Sequence, residues 1–208
     1  MNRARARRDL ELVASLVEPG ARVLDVGCGD GTLLDMLTRT RAVDARGLEL
    51  SREGVAACVA RGFSVVQGDA DSDLADYPDN AFDYVILTQT IQAMRRPHEM
   101  LSEALRIGRR AILSVPNFGQ WRLRLTLLAT GRMPQSAAPA AEWFETQNIR
   151  LCTIRDFVRL CEARRAHIEK AYAGVRGRSP RPFTPRGVSL AAMNFLAEEA
   201  IFLLRRSV

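Results

Sequence analysis

Nine residues, Val23-Leu24-Asp25-Val26-Gly27-Cys28-Gly29-Asp30-Gly31, limit what this chain can fold into more than any other stretch. A short apolar run of strand length ends in a carboxylate, then in three glycines at alternate positions. An apolar helical run takes over from Leu33. A strand that passes into a helix this way must turn sharply and leave its backbone open to a ligand, and glycine permits both. The helix that follows offers free N–H groups and the positive end of its dipole. The stretch therefore predicts a nucleotide-type cofactor site at the carboxyl end of a first parallel strand.

The spacing of the glycines separates this turn from a dinucleotide fingerprint, which reads G-x-G-x-x-G. Here the order is Gly27-x-Gly29-x-Gly31, with Asp25 two residues ahead. An acid at that place would repel a pyrophosphate but suits a ligand carrying an ammonium group. The pattern resembles motif I of the class I S-adenosylmethionine-dependent methyltransferases. An acid at the end of strand two, about 20 residues on, is then expected to hold ribose hydroxyls. Ala45-Arg46-Gly47-Leu48-Glu49 supplies it as Glu49, followed by Leu50. Val65-Val66-Gln67-Gly68-Asp69-Ala70 ends a third strand in Asp69, placed to accept from an adenine amino group. Phe82-Asp83-Tyr84-Val85-Ile86-Leu87 is a fourth strand, and Thr88 and Gln89 follow it. The expected cofactor-binding set is Asp25, Gly27, Cys28, Gly29, Gly31, Glu49, Leu50, Asp69, Ala70, Thr88 and Gln89. The expected ligand is S-adenosylmethionine or S-adenosylhomocysteine, against an NAD-type or empty site.

The rest of the chain alternates in the same way. Helices are expected over Arg8 to Val17, Thr32 to Thr40 (with Thr32 as cap), Ser51 to Gly62 and His98 to Arg106. Strands are expected over Val23 to Val26, Asp44 to Leu50, Phe63 to Gln67, Phe82 to Leu87 and Arg110 to Val115. Such alternation argues for a parallel sheet with helices on both faces and right-handed crossovers. Beyond it, Gln120 to Thr130 reads as an amphipathic helix with Trp121, Leu125 and Leu128 on one face, set against the chain's own core or a partner. Gln135 to Ala141 reads as a loop, and Trp143-Phe144 places two aromatics beside Glu145. Thr153 to Ala163 reads as a helix capped by Thr153 with Asp156 three residues on. Ile168 to Ala173 reads as strand six, Gly174 to Gly187 as an exposed loop and Ala200 to Leu204 as a final strand. The fold class expected is α/β, Rossmann-like, with a mostly parallel seven-stranded sheet. The organisation expected is one domain over 1–208, carrying an inserted helix and loop at 119–150.

Composition enters where partners are concerned. The 208-residue chain has a net charge of +6, and Lys170 is its one lysine. Its arginines fall in scattered groups without the aromatic interleaving of a nucleic-acid platform, so basic charge alone carries little. No apolar run reaches membrane-spanning length and the N-terminus lacks the apolar core of a secretory signal, which makes the cytoplasm the expected compartment. Cys28, Cys58, Cys152 and Cys161 show no C-x-x-C spacing, so neither a zinc site nor a disulfide framework is expected, and the last three read as small core residues.

Methyl transfer displaces a sulfonium at an already activated carbon, so the protein chiefly places the reactants and excludes water. A base is needed only where the nucleophile carries a proton. His98 and His167 are weak candidates. The amides and hydroxyls of Thr88-Gln89-Thr90-Ile91-Gln92 can hold a substrate but are not strong bases. Asp73, Asp76 and Asp79 read as a solvated acidic loop. No catalytic residue and no metal cluster is identified.

Three further stretches carry a closer likeness. They are Val85 to Ala93 with Arg95-Arg96-Pro97, Ser114-Val115-Pro116-Asn117-Phe118-Gly119 with Trp121-Arg122, and Gly131-Arg132-Met133-Pro134. With Leu151-Cys152-Thr153-Ile154-Arg155-Asp156-Phe157 they resemble the MetW family of methionine biosynthesis proteins over about residues 8 to 205. The resemblance implies a partner, homoserine O-acyltransferase, whose activity a MetW-like chain supports. It also implies that the cofactor pocket senses S-adenosylmethionine. The candidate docking surface is the Gln120 to Thr130 helix with Trp121, Trp143 and Phe144, because aromatics and arginine are common interface anchors. The alternative is a methyltransferase acting on a small molecule or protein.

Overall fold

The computed structural model describes residues 3–134, 150–175 and 178–207. Its sheet grows outward from β1 (Arg22–Val26) in both directions. On one side lie β2 (Asp44–Glu49) and β3 (Ser64–Gln67), and on the other β4 (Phe82–Thr88) and β5 (Gly108–Pro116), all parallel. The later strands are β6 (Ala166–Gly174), a two-residue β7 (Arg181–Pro182) and β8 (Glu199–Arg206). The order is β3-β2-β1-β4-β5-β8-β6-β7, and β8 runs antiparallel to both of its neighbours. Among the described residues the sheet thus has eight strands rather than the seven expected. The additional one is a short edge strand inside the stretch expected to be a loop.

Alternation along the buried strands builds two apolar layers, because successive side chains point to opposite faces. Val23, Tyr84, Ile86, Ile112, Ile201 and Leu203 pack with α1 (Arg3–Leu16) and α2 (Thr32–Arg41). The intervening residues Leu24, Val85, Leu87, Leu113, Phe202 and Leu204 form the other layer. α3 (Arg52–Ala60) closes the first face through Cys58 against Cys28 and Leu34, and a single turn, α4 (Ala70–Asp73), follows β3. α5 (Pro97–Ile107) lies on the second face. Its Met100, Leu101, Ala104 and Leu105 are buried, and Pro97 occupies its first turn.

α6 (Trp121–Thr130) departs from the core alternative. It buries none of its residues, and Leu125, Leu127 and Leu128 stand exposed. Gln120 caps it by accepting from the Arg122 and Leu123 N–H groups. The expected loop over Gln135 to Ala141, and Trp143, Phe144 and Glu145, lie outside the described residues. α7 (Ile154–Ala163) carries the capping box expected of Thr153 and Asp156, and buries Ile154, Phe157, Val158 and Cys161. α8 (Gly187–Leu196) was not anticipated. Its sequence is largely apolar, yet only Asn194 is buried and the rest are exposed or half-buried, so no clear period marked it. Asn117, itself buried, ties these parts together. Its Nδ2 donates to the Asn194 and Ala197 carbonyls, and its Oδ1 accepts from Gly119 and Ile154 N–H groups.

Among the described residues no helix is long and apolar enough to cross a membrane. Three arginines of the Arg106 to Arg110 group are matched by acids: Arg106 with Glu103 and Asp79, Arg109 with Asp83, and Arg110 with Glu18 and Glu169.

Candidate functional site

β1 and β4 are neighbours whose onward connections leave in opposite directions, so the crevice at their carboxyl ends is the switch point where α/β sheets bind ligands. The glycine turn stands there. Gly27 extends the ladder by donating to the Leu48 carbonyl at 2.7 Å, then bends at φ 74°. Any Cβ on it would sit 2.9 Å from Thr90 Oγ1. Thr90 in turn donates to the Val26 or Thr88 carbonyl at 3.0 and 3.1 Å, latching β4's continuation over the turn. Gly29 also has positive φ, at 56°, but a Cβ there would meet nothing within 4 Å. Its front is open space, and its N–H points to Glu49 Oε2 at 2.8 Å.

Glu49 therefore reaches back from the end of β2 to the turn. Its other oxygen accepts from Ser51 N–H at 2.9 Å. A carboxylate offers about four lone pairs, so two remain for a ligand. Asp25 is buried, and its Oδ1 has no hydrogen-bond partner. Burial first, and the charge of Glu49 second, push its pKa up to about 7. Asp25, Gly27, Gly29 and Glu49 are thus brought to one place. Leu50 stands beside them, 66% exposed.

Gly31 is the N-cap of α2 in a left-handed conformation, so Thr32 is the first helical residue and not the cap expected. Asp30 does the capping work, accepting from the Thr32 N–H at 3.0 Å and hydroxyl at 2.7 Å, and those bonds hold its carboxyl below the usual range. Cys28 fits under the turn. Its Sγ lies 3.8 Å from Cys58 Sγ, both thiols are free, and burial raises both pKa values.

Asp69 ends the β3 segment as expected but spends one oxygen capping α4, accepting from Asp71 N–H at 3.0 Å, with Ala70 half-buried behind it. Asp73 is not a free loop acid, because its Oδ2 accepts from Asp69 N–H at 2.9 Å. Thr88 closes β4, and Gln89 takes a left-handed φ of 53°, a costly conformation for a residue with a side chain. Its N–H donates to Ser114 Oγ at 2.8 Å, and its Nε2 lies 3.4 Å from Glu199 Oε2. His98 sits half-buried in the first turn of α5, 3.7 Å from Glu99, and His167 is exposed on β6. Neither approaches the turn through any hydrogen bond.

Three contributors were missed in the sequence. Gly47 leaves room for Cys28, since a Cβ there would come within 2.6 Å of its Sγ. Gly54 lets α3 approach, since a Cβ would stand 2.9 Å from the Gly29 carbonyl. Both were readable as glycines inside a strand and a helix start, positions that ask for a close-packing reason. Glu199 had no local signal. It is the first residue of an antiparallel strand, and only the topology brings it, buried, to the carboxyl ends of β4 and β5.

Compared with known proteins, the chain matches the family described as methionine biosynthesis protein MetW over residues 7–204. It belongs to the MetW family. Among curated relatives, the bifunctional methionine biosynthesis protein MetXA/MetW of Rhodopirellula baltica is 36% identical over 157 residues, which is 71% of this chain and 25% of that protein. A fatty-acid O-methyltransferase of Mycolicibacterium smegmatis is 39% identical over 95 residues, 43% of this chain and 34% of that one. The chain thus spans about a quarter to a third of the length of these relatives. Among solved structures, a SAM-dependent methyltransferase of Thermotoga maritima superposes with a TM-score of 0.68 at 15% identity, covering 98% of this chain and 90% of that one. The fold of this MetW-family chain is therefore that of the class I methyltransferases.

Proposed function

We propose that this MetW-family chain binds S-adenosylmethionine or S-adenosylhomocysteine at the glycine turn and acts beside homoserine O-acyltransferase as its activating partner. The observation that carries the ligand reading is the buried, unpartnered Oδ1 of Asp25, two residues ahead of a turn whose Gly29 opens onto empty space. An ammonium-bearing ligand would supply the charge that Asp25 lacks. Glu49 has lone pairs left for ribose hydroxyls, and Asp69 has one oxygen outside its capping bond for an adenine amine. Cys28, Gly31, Leu50, Ala70, Thr88 and Gln89 would line the remainder. Bound S-adenosylmethionine supplies an activated methyl group. This chain's residues orient it and exclude water.

The partner reading rests on the family and on the MetXA/MetW name of the Rhodopirellula baltica protein, three quarters of which lies beyond the match. Two activities named together in one polypeptide fit two chains that work side by side. In this reading ligand binding biases the complex only through unequal affinity for its two states. The docking surface is the outer face of α6, where Leu125, Leu127 and Leu128 are exposed beside Arg122 and Arg124. Aromatic, arginine and clustered apolar groups are common interface anchors.

The test is the rate of homoserine acylation by the cognate acyltransferase, alone and with an equal concentration of this chain. A severalfold rise with co-elution is expected, and its size should change with added S-adenosylmethionine. No change and no co-elution would remove the partner reading. A methyltransferase acting on a small molecule or protein would then stand, favoured by the stretch shared with the fatty-acid O-methyltransferase and tested by turnover of labelled cofactor.

A further inference from the structure

α6 is capped at both ends and packed along neither side. Gln120 accepts from the Arg122 and Leu123 N–H groups at its start. Gly131, at φ 62°, closes it by donating its N–H to the Leu127 carbonyl at 2.9 Å. Between those caps none of its ten residues is buried. Trp121, Leu125 and Leu128 share one side, and Leu123 and Leu127 lie on the opposite one. Leu128 is 83% exposed and Leu127 48%. A helix this short is marginal in water unless packing supports it, and one that is apolar on two sides suits enclosure.

Its charge is as unmatched as its apolar surface. The sequence holds no Asp or Glu between Glu103 and Glu142. Arg106, Arg109 and Arg110, early in that stretch, find carboxylates from elsewhere in the fold. Arg122, Arg124 and Arg132 form no ion pair among the described residues. Arg122 stands over the Trp121 ring at 5.2 Å, and Arg124 donates to the Gly119 carbonyl and lies over Phe195 of α8. None of those contacts neutralises the charge, so the helix fits an occupant that is both apolar and acidic. A membrane-surface helix needs one apolar face opposite one charged face, whereas α6 divides its leucines between two sides. A second copy meeting it helix to helix would set arginine against arginine. A protein groove remains.

Resting on the partner reading above, we propose that α6 is a preformed docking helix that enters an apolar groove of the acyltransferase. Carboxylates at the rim of that groove meet Arg122 and Arg132, and its walls cover both leucine sides, as in other helix-in-groove complexes. The two caps hold the helix ready, which lowers the ordering cost of binding.

The dissociation constant of the complex between the full chain and the cognate acyltransferase, followed by analytical ultracentrifugation, tests this. Reversing charge at both ends, Arg122→Glu with Arg132→Glu, is expected to weaken the complex at least tenfold, and Arg122→Lys with Arg132→Lys to leave it close to native. Raising salt from about 50 mM to about 300 mM should weaken the native complex severalfold and the charge-reversed one far less. Leu127→Asp, on the side turned away from Leu125 and Leu128, should also weaken it at least tenfold, which docking by a single face would not produce. All of these chains should melt at the native temperature. A complex that keeps its native affinity with the charges reversed, or with Leu127→Asp, would overturn the groove and leave the partner reading standing. Absence of any native complex would overturn both. A marked fall in the melting temperature of the Leu127→Asp chain would mean that the chain covers that side itself. Binding of the native chain to phosphatidylserine vesicles, lost on charge reversal, would give the helix to a bilayer. Either result overturns the proposal.

Discussion

Asp25 is a carboxyl group that the fold buries without satisfying, and its titration should report on the whole site. Its pKa rises from 3.8 to about 7, chiefly through burial. The folded chain thus keeps this proton to higher pH than the unfolded chain does. The group's contribution makes stability fall as pH rises from about 4 to 7, and levels off above that. Asp25→Asn should flatten this part of a melting-temperature profile. If the ionised form meets the ligand's ammonium, S-adenosylmethionine affinity should rise about fivefold between about pH 6 and pH 7, below the usual α-amino range. Calorimetry on the native chain would show that rise, and on the Asn variant its absence. Two neighbours test placement. Gly29→Val projects a branched side chain into the open front of the turn at a φ that disfavours it, and Glu49→Ala removes a bridge to Gly29 and Ser51. Both should weaken binding at least tenfold by the same assay. Unchanged affinity in both would move the site elsewhere.

At the scale of elements, α6 and α7 behave oppositely although both are ten residues long. α7 announces itself by a capping box and a clear apolar face, and the structure keeps both. α6 carries the expected face of Trp121, Leu125 and Leu128, but Leu123 and Leu127 lie off it, and the structure buries neither side. Replacing Leu125 and Leu128 together by Asp should change stability by only about 0.5 kcal/mol, because both are exposed. The same change should abolish co-elution with the acyltransferase while leaving S-adenosylmethionine affinity intact. Loss of stability instead would mean the face is covered by the chain itself. The parallel strands were legible as short runs bounded by turn residues, and the first three run out at Gly27, Glu49 and Gly68-Asp69. α8, β7 and Glu199 were not, because their places depend on partners distant in sequence. Thr90 lay inside a flagged motif, yet its latch on Val26 spans 64 residues and no local pattern encodes it.

For the molecule as a whole, the second apolar layer is continuous from Leu24 to Phe202. Phe202 is fully buried, with the Phe157 ring at 4.7 Å and the Phe183 ring at 6.2 Å. Phe202→Ala should cost about 3–5 kcal/mol in chemical unfolding, well beyond any change on α6. The position of β8 has a consequence for how the chain is made. Two strands synthesised earlier, β5 and β6, are joined only through this later one. About 25 residues separate the end of β6 from the start of β8, and at about 5–20 residues per second their synthesis takes on the order of seconds. Throughout that interval the nascent chain holds two unpaired strand edges, the kind of surface that recruits other chains. Until β8 slides between them, the growing chain is at its most open to pairing with other chains.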